Sequence, residues 1–157
     1  MRDAIVAAGY ADVDMIKTIE TFPQRHNLVS ITKITRALGG AACNCGLDLA
    51  RLAPDVTIKP LAVYGADAYG EYIDSRFAEY SNIDTSLIHK AGVTGFTDVL
   101  DEADTSVRTF LAFRGANSMF DVDTVDVESL DCGIFHIGYI LFEPCLICFF
   151  QWVVHTK

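Results

Sequence analysis

The sequence predicts an α/β protein, a parallel sheet with helices packed on it and a smaller β-subdomain standing outside. Three observations carry that reading. Residues 4–8 are apolar without alternation and end at Gly9, the pattern of a strand buried on both faces. Strand-like and helix-like segments then alternate, the order that right-handed strand–helix–strand crossovers produce. Two pairs of polar, β-branched runs interrupt that order and read as antiparallel, half-exposed strands.

The elements follow in chain order. Segments 13–19 and 28–35 mix Val, Ile and Thr with Lys and Ser and are separated by Phe22-Pro23-Gln24, so they form the first outlying pair. Gly39-Gly40 gives way to small residues and then to Leu47, Leu49, Ala50 and Leu52, a helix that Pro54 stops. Residues 58–64 are a second buried strand. After Gly65, Tyr69, Ile73 and Phe77 recur every four residues among acidic neighbours, an amphipathic helix. Segments 94–100 and 107–113 flank the acidic 101–106 stretch, a hairpin with a solvated tip. A further buried strand is expected over 134–141.

The chain has 157 residues, 51% hydrophobic and 21% charged, enough apolar surface for one ordinary domain. Twelve Lys and Arg against 21 Asp and Glu leave a formal charge of −9. That field repels phosphate backbones and anionic lipid, and no basic patch offsets it, so neither nucleic acid nor membrane is an expected partner. The apolar stretch 134–154 is divided by His136, Glu143, Pro144 and Gln151 into pieces far below the roughly 20 residues a bilayer requires. Asp3 interrupts the short apolar N-terminus, which argues against a signal peptide. Cysteines 43, 45, 132, 145 and 148 do not form a disulfide framework. The expectation is a reducing, cytoplasmic location.

Asp12 and Asp14 lie two apart just after the first core strand, where ligands of open α/β sheets bind, and in extended chain both carboxylates project to one side. Carboxylates only accept hydrogen bonds, which suits the hydroxyls of a polyol. A solvated acidic turn accounts equally well for these two residues alone. Gly39-Gly40-Ala41-Ala42-Cys43-Asn44 places an amide one turn into a helix with an unobstructed start, so backbone N–H groups and Asn44 can face one small polar ligand. A plain glycine turn with Asn44 exposed is the alternative. Neither a G-x-G-x-x-G nor a G-x-x-x-x-G-K-[ST] string is present, which counts against a Rossmann-type oxidoreductase and against a P-loop enzyme. Cys145-x-x-Cys148 with His155 has no second ligand pair, so no metal site is expected. Histidines 26, 89, 136 and 155 form no nucleophile–base pattern.

The order of Gly9-Tyr10-Ala11-Asp12-Val13-Asp14, Gly39-Gly40 with Asn44, Val63-Tyr64-Gly65-Ala66-Asp67, Asn82-Ile83-Asp84, Thr94-Gly95 and Arg108-Thr109-Phe110 leading to Gly115-Ala116-Asn117 resembles the ribokinase-like (PfkB) carbohydrate kinases. The likeness runs over roughly residues 3–141. It implies a ribokinase-like three-layer α/β sandwich with a Rossmann-like sheet and a small β-strand lid, the lid strands at about 13–35 and 94–114, with a divergent apolar tail at 142–157. It implies phosphoryl transfer from ATP, with Mg²⁺, to a sugar or nucleoside hydroxyl. By the same resemblance Asp12, Asp14, Gly39, Gly40 and Asn44 look like the grip on substrate hydroxyls; the hairpin arginines, Arg108 and Arg114, can reach a phosphate on the substrate or nucleotide, with solvated surface arginines as the more common alternative. Ala41 stands where the ribokinase subgroup often has lysine and Asp12 where it has asparagine, which points to a neutral polyol rather than an anionic one.

Kinases of this kind continue into a second half with a D-T-x-G-A-G-D type motif whose last Asp is the general base. That motif is absent from these 157 residues, so no catalytic residue is assigned and the chain is expected to transfer no phosphate by itself. The competing expectation is a non-catalytic protein that binds a sugar or nucleoside, or that forms a homodimer through its lid strands.

Overall fold

The computed structural model describes residues 4–120 and 130–138. Four parallel strands, β1 (Ile5–Ala8), β4 (Ile58–Tyr64), β5 (Ile88–Lys90) and β8 (Ile134–Ile137), form the body sheet in the order β5-β4-β1-β8. Helices α1 (Ala41–Leu52) and α2 (Ala68–Phe77) cover one face, packing Ala42, Cys43, Ile73 and Phe77 against Ala62 and Tyr64. On the other face Ala116 and Phe120 close over Val6, Ala8, Leu61 and Val63. Burial from both sides is why residues 4–8 show no polar alternation. Strand β5 was not foreseen, because three residues that include His89 and Lys90 carry no periodic signal. Of the expected 134–141 strand, Ile134–Ile137 is observed and the remainder lies outside the described residues. No helix among the described residues is long and apolar enough to cross a membrane.

Each helix end has an identifiable partner. Gly40 precedes α1 at φ 83°, a conformation that favours glycine, and with no side-chain cap there the Ala42 N–H donates to the Tyr10 carbonyl at 3.1 Å. At the other end the Asn82 amide donates to the carbonyls of Ala50, Ala53 and Val56 at 3.0–3.2 Å. Asp67 caps α2, its Oδ1 accepting from the N–H groups of Tyr69 and Gly70 at 3.1 and 3.0 Å.

The outlying strands make a second sheet, ordered β3-β2-β6-β7, from β2 (Asp12–Ile19), β3 (Ile31–Gly39), β6 (Gly95–Glu102) and β7 (Arg108–Phe113). Two hairpins, β2–β3 and β6–β7, are antiparallel as expected, but they join side by side through a parallel β2–β6 pairing into one mixed sheet. Strand β3 occupies 31–39 instead of 28–35. Its pairing sets Gly39 opposite Asp12, a long-range constraint that local composition does not express. At its base the sheet rests on α2: Phe96 packs 5.8 Å from Tyr69 and the Arg36 guanidinium lies 4.0 Å above the Tyr72 ring.

Candidate functional site

Strand alternation puts Asp12 and Asp14 on the same face of β2, at the end nearest the body sheet. Gly39 is directly opposite Asp12. A Cβ at position 39 would lie 2.8 Å from Asp14 Oδ1 and would collide outright with Asp12 Oδ1. Both carboxylates therefore lean over one point, and only glycine leaves room for them. Asp12 Oδ1 is buried and has no hydrogen-bond partner among the described residues. Burial first, and then the neighbouring Asp14 charge, push the Asp12 pKa up to about 6; burial also raises Asp14. An acceptor held this way favours any ligand group that donates a hydrogen bond to it.

The other residues singled out in the sequence surround this point at different depths. Gly40 lets the backbone turn against Tyr10, whose carbonyl already takes one N–H of the α1 start. Asn44 is in the first turn of α1 but is exposed, and no hydrogen bond joins it to either carboxylate. Cys43, beside Asp12, is fully buried, and burial together with the Asp12 and Asp14 charges drives its thiol pKa well up, consistent with a packing role. Arg114 leaves the end of β7 with its guanidinium 6.0 Å from the Tyr10 ring, at the rim. Arg108 is committed to Asp101 at 3.1 Å, toward the far end of the hairpin.

One residue of the site was not assigned a role from sequence. Asn117 is fully buried, accepts the Ala11 N–H on its Oδ1 at 3.0 Å, and holds its Nδ2 beside Gly95, which pairs with Asp12 from the opposite side to Gly39. Its only trace in the sequence is its place in Gly115-Ala116-Asn117, since an asparagine between small residues has no local pattern that marks it as buried. Among the described residues no group of three or more His, Cys, Asp or Glu side chains could hold a metal ion. Cys145 and Cys148 lie outside the described residues. The two carboxylates, with the unsatisfied Asp12 Oδ1, suit hydroxyl donors and repel a triphosphate, so no step involving ATP is assigned to them.

No family model matches the chain. A curated relative, the uncharacterised sugar kinase YegV of Escherichia coli, is 29% identical over 159 aligned positions, which cover 97% of this chain and 47% of that protein. Among solved structures, ribokinase from Giardia lamblia superposes with a TM-score of 0.75 at 17% identity, covering 85% of this chain and 44% of that one. Methanocaldococcus jannaschii nucleoside kinase, a member of the ribokinase family, gives 0.69 at 20% identity over 86% and 44%. Arabidopsis thaliana ribokinase, solved with ribose and ATP, gives 0.62 at 22% identity over 74% and 37%. At these identities the structures establish the ribokinase-like α/β fold alone. The chain spans about half the length of the curated relative. By fold and by sequence likeness it is similar to the ribokinase-like (PfkB) sugar kinases, over part of their length.

Proposed function

We propose that residues 1–141 form the acceptor-binding and lid portion of an ATP-dependent sugar or nucleoside kinase, and that the site over Gly39 holds a neutral polyol. The observation that carries this is the convergence of Asp12 and Asp14 on one point, with a buried acceptor oxygen left without a donor. Hydroxyls of the ligand donate to the carboxylates, and charge-assisted bonds of that kind are short and directional. The lid sheet, continuous with both acids through β2, excludes water from the acceptor hydroxyl. Deprotonation of that hydroxyl needs a base that the resemblance places in the D-T-x-G-A-G-D motif, which these 157 residues lack. The chain therefore binds the acceptor without phosphorylating it.

Calorimetry with D-ribose, D-fructose, adenosine and D-ribose 5-phosphate tests the reading. At least one neutral probe binds, the phosphorylated one does not, and Asp14→Asn and Gly39→Ala each weaken binding by about tenfold or more. Incubation with ATP and Mg²⁺ yields no phosphorylated product. Preference for the phosphosugar, or wild-type affinity in Asp14→Asn, overturns the assignment. A second reading, self-association through the lid, is favoured by the apolar side chains on its outer strands, with Ile34 58%, Phe110 61% and Leu111 56% exposed.

A further inference from the structure

Four chain crossings connect the body sheet to the lid: between β1 and β2, β3 and α1, β5 and β6, and from β7 back into the body. Each contains a glycine at positive φ, namely Gly9 at 142°, Gly40 at 83°, Gly92 at 61° and Gly115 at 50°, and these are all the positive-φ glycines among the described residues. Backbone bonds tie the crossings in pairs. Ala42 N–H donates to the Tyr10 carbonyl at 3.1 Å across the first pair, and Ala116 N–H to the Val93 carbonyl at 2.7 Å across the second.

Asn117 joins one pair to the other. It follows the fourth crossing, accepts the N–H of Ala11 in the first, and places Nδ2 only 2.5 Å from where a Cβ of residue 95, at the end of the third, would stand. It is 1% exposed, so the amide is held in place, yet Nδ2 has no acceptor among the described residues. An unsatisfied buried donor favours any rearrangement that supplies an acceptor. Ala11 immediately precedes Asp12, and Gly95 pairs with Asp12 across the sheet.

We infer that Asn117 is a positioning residue that makes the two pairs of crossings open together and so fixes the Asp12 carboxylate at the base of the lid, its idle Nδ2 donor being engaged when a hydroxylated ligand draws the lid down. The ligand clause rests on the acceptor-site reading above; the coupling itself does not. Glycines supply freedom at each crossing; the β2–β6 pairing holds the two hairpins together within the lid, and the Asn117 amide ties the first pair of crossings to the second on the body side, next to Asp12. The side-chain amide transmits displacement of one pair to the other.

Hydrogen exchange on the full chain without ligand tests the coupling. Asn117→Ala accelerates exchange at Ala11 and at β2 and β6 together by about tenfold or more, because the link that holds both pairs of crossings closed is gone. Asn117→Ser, whose short hydroxyl cannot span from Ala11 to Gly95, does the same and serves if Asn117→Ala does not fold. Asn117→Asp keeps an acceptor for Ala11 and accelerates this exchange less than Asn117→Ala, but at pH 8 its ionised carboxylate replaces the donor, so a neutral probe that binds the wild type is held about tenfold more weakly. Acceleration confined to Ala11 overturns the coupling, and wild-type probe affinity in Asn117→Asp overturns the donor role. Asp14→Asn weakens the probe but, because it removes a like charge beside Asp12, does not accelerate ligand-free exchange. Failure of every probe on the wild type counts against the acceptor site and the donor role, and exchange then decides the coupling alone.

Discussion

A buried carboxylate oxygen with no donor favours its protonated form, and Asp12 is in that situation: its pKa rises from 3.8 to about 6 through burial and the adjacent Asp14. Because the folded value lies above the unfolded one, the associated stability is fully present below about pH 4 and is lost as pH rises through about 6. At neutral pH the folded protein carries an ionised Asp12 at a cost of up to about 3 kcal/mol. Asp12→Asn accordingly melts at higher temperature than wild type at pH 8, with the gap closing toward pH 4; a less stable variant at pH 8 contradicts the burial argument. The ionised form is also the better acceptor, so binding of a neutral probe strengthens between pH 5 and 7, and the Asn variant loses that dependence. The acids at 12 and 14 and the glycine at 39 were legible as chemistry. Which atoms would be left unsatisfied was not, since that depends on the β2–β3 register.

Helix α2 shows how one side chain can serve two elements. Asp67 caps its N-terminus with Oδ1 and accepts the Thr94 N–H on Oδ2 at 2.8 Å, while the buried Thr94 hydroxyl accepts from Gly65 N–H at 3.0 Å. Burial opposes ionisation of Asp67, but the N–H groups of Thr94, Gly70 and Tyr69 outweigh it and hold the pKa below the usual carboxylate range. That contribution is present above the ordinary carboxylate pKa and is lost as pH falls through the depressed value. Asp67→Ala is expected to lower stability by about 2 kcal/mol in urea titration, and Asp67→Asn by less, because the amide retains the cap and loses the Thr94 acceptor. Equal losses in the two variants would leave the cap without weight, and an unchanged Asp67→Asn would leave the Thr94 bond without weight. The helices and β4 were readable from periodicity and from Gly and Pro. The bounds of β3, the existence of β5 and the parallel β2–β6 seam were not, because cross-strand partners decide them.

The described residues form two sheets joined through four glycine-containing crossings, with apolar surface on the outer strands of the second sheet and along the body edge. Beside β8 a groove of about 390 Å³ is lined by Ile5, Leu49, Leu52 and Ile134 together with Cys45 and His136. Exposed apolar strands at sheet edges favour pairing with another chain. Sedimentation velocity is expected to show concentration-dependent self-association, reduced in Phe110→Asp/Leu111→Asp. A monomer at all concentrations removes the lid-contact reading.

Composition, hydrophobic periodicity and the order of short motifs were sufficient for the α/β class, the outlying strands and the acidic pair, because each is a local or one-dimensional property of the chain. Tertiary structure alone decided that Gly39 and Gly95 flank Asp12, that Arg108 is spent on Asp101, and that Asn117 joins the crossings. Those relations depend on strand register and on contacts between residues as far as 106 positions apart, and no local pattern of residues encodes such distances.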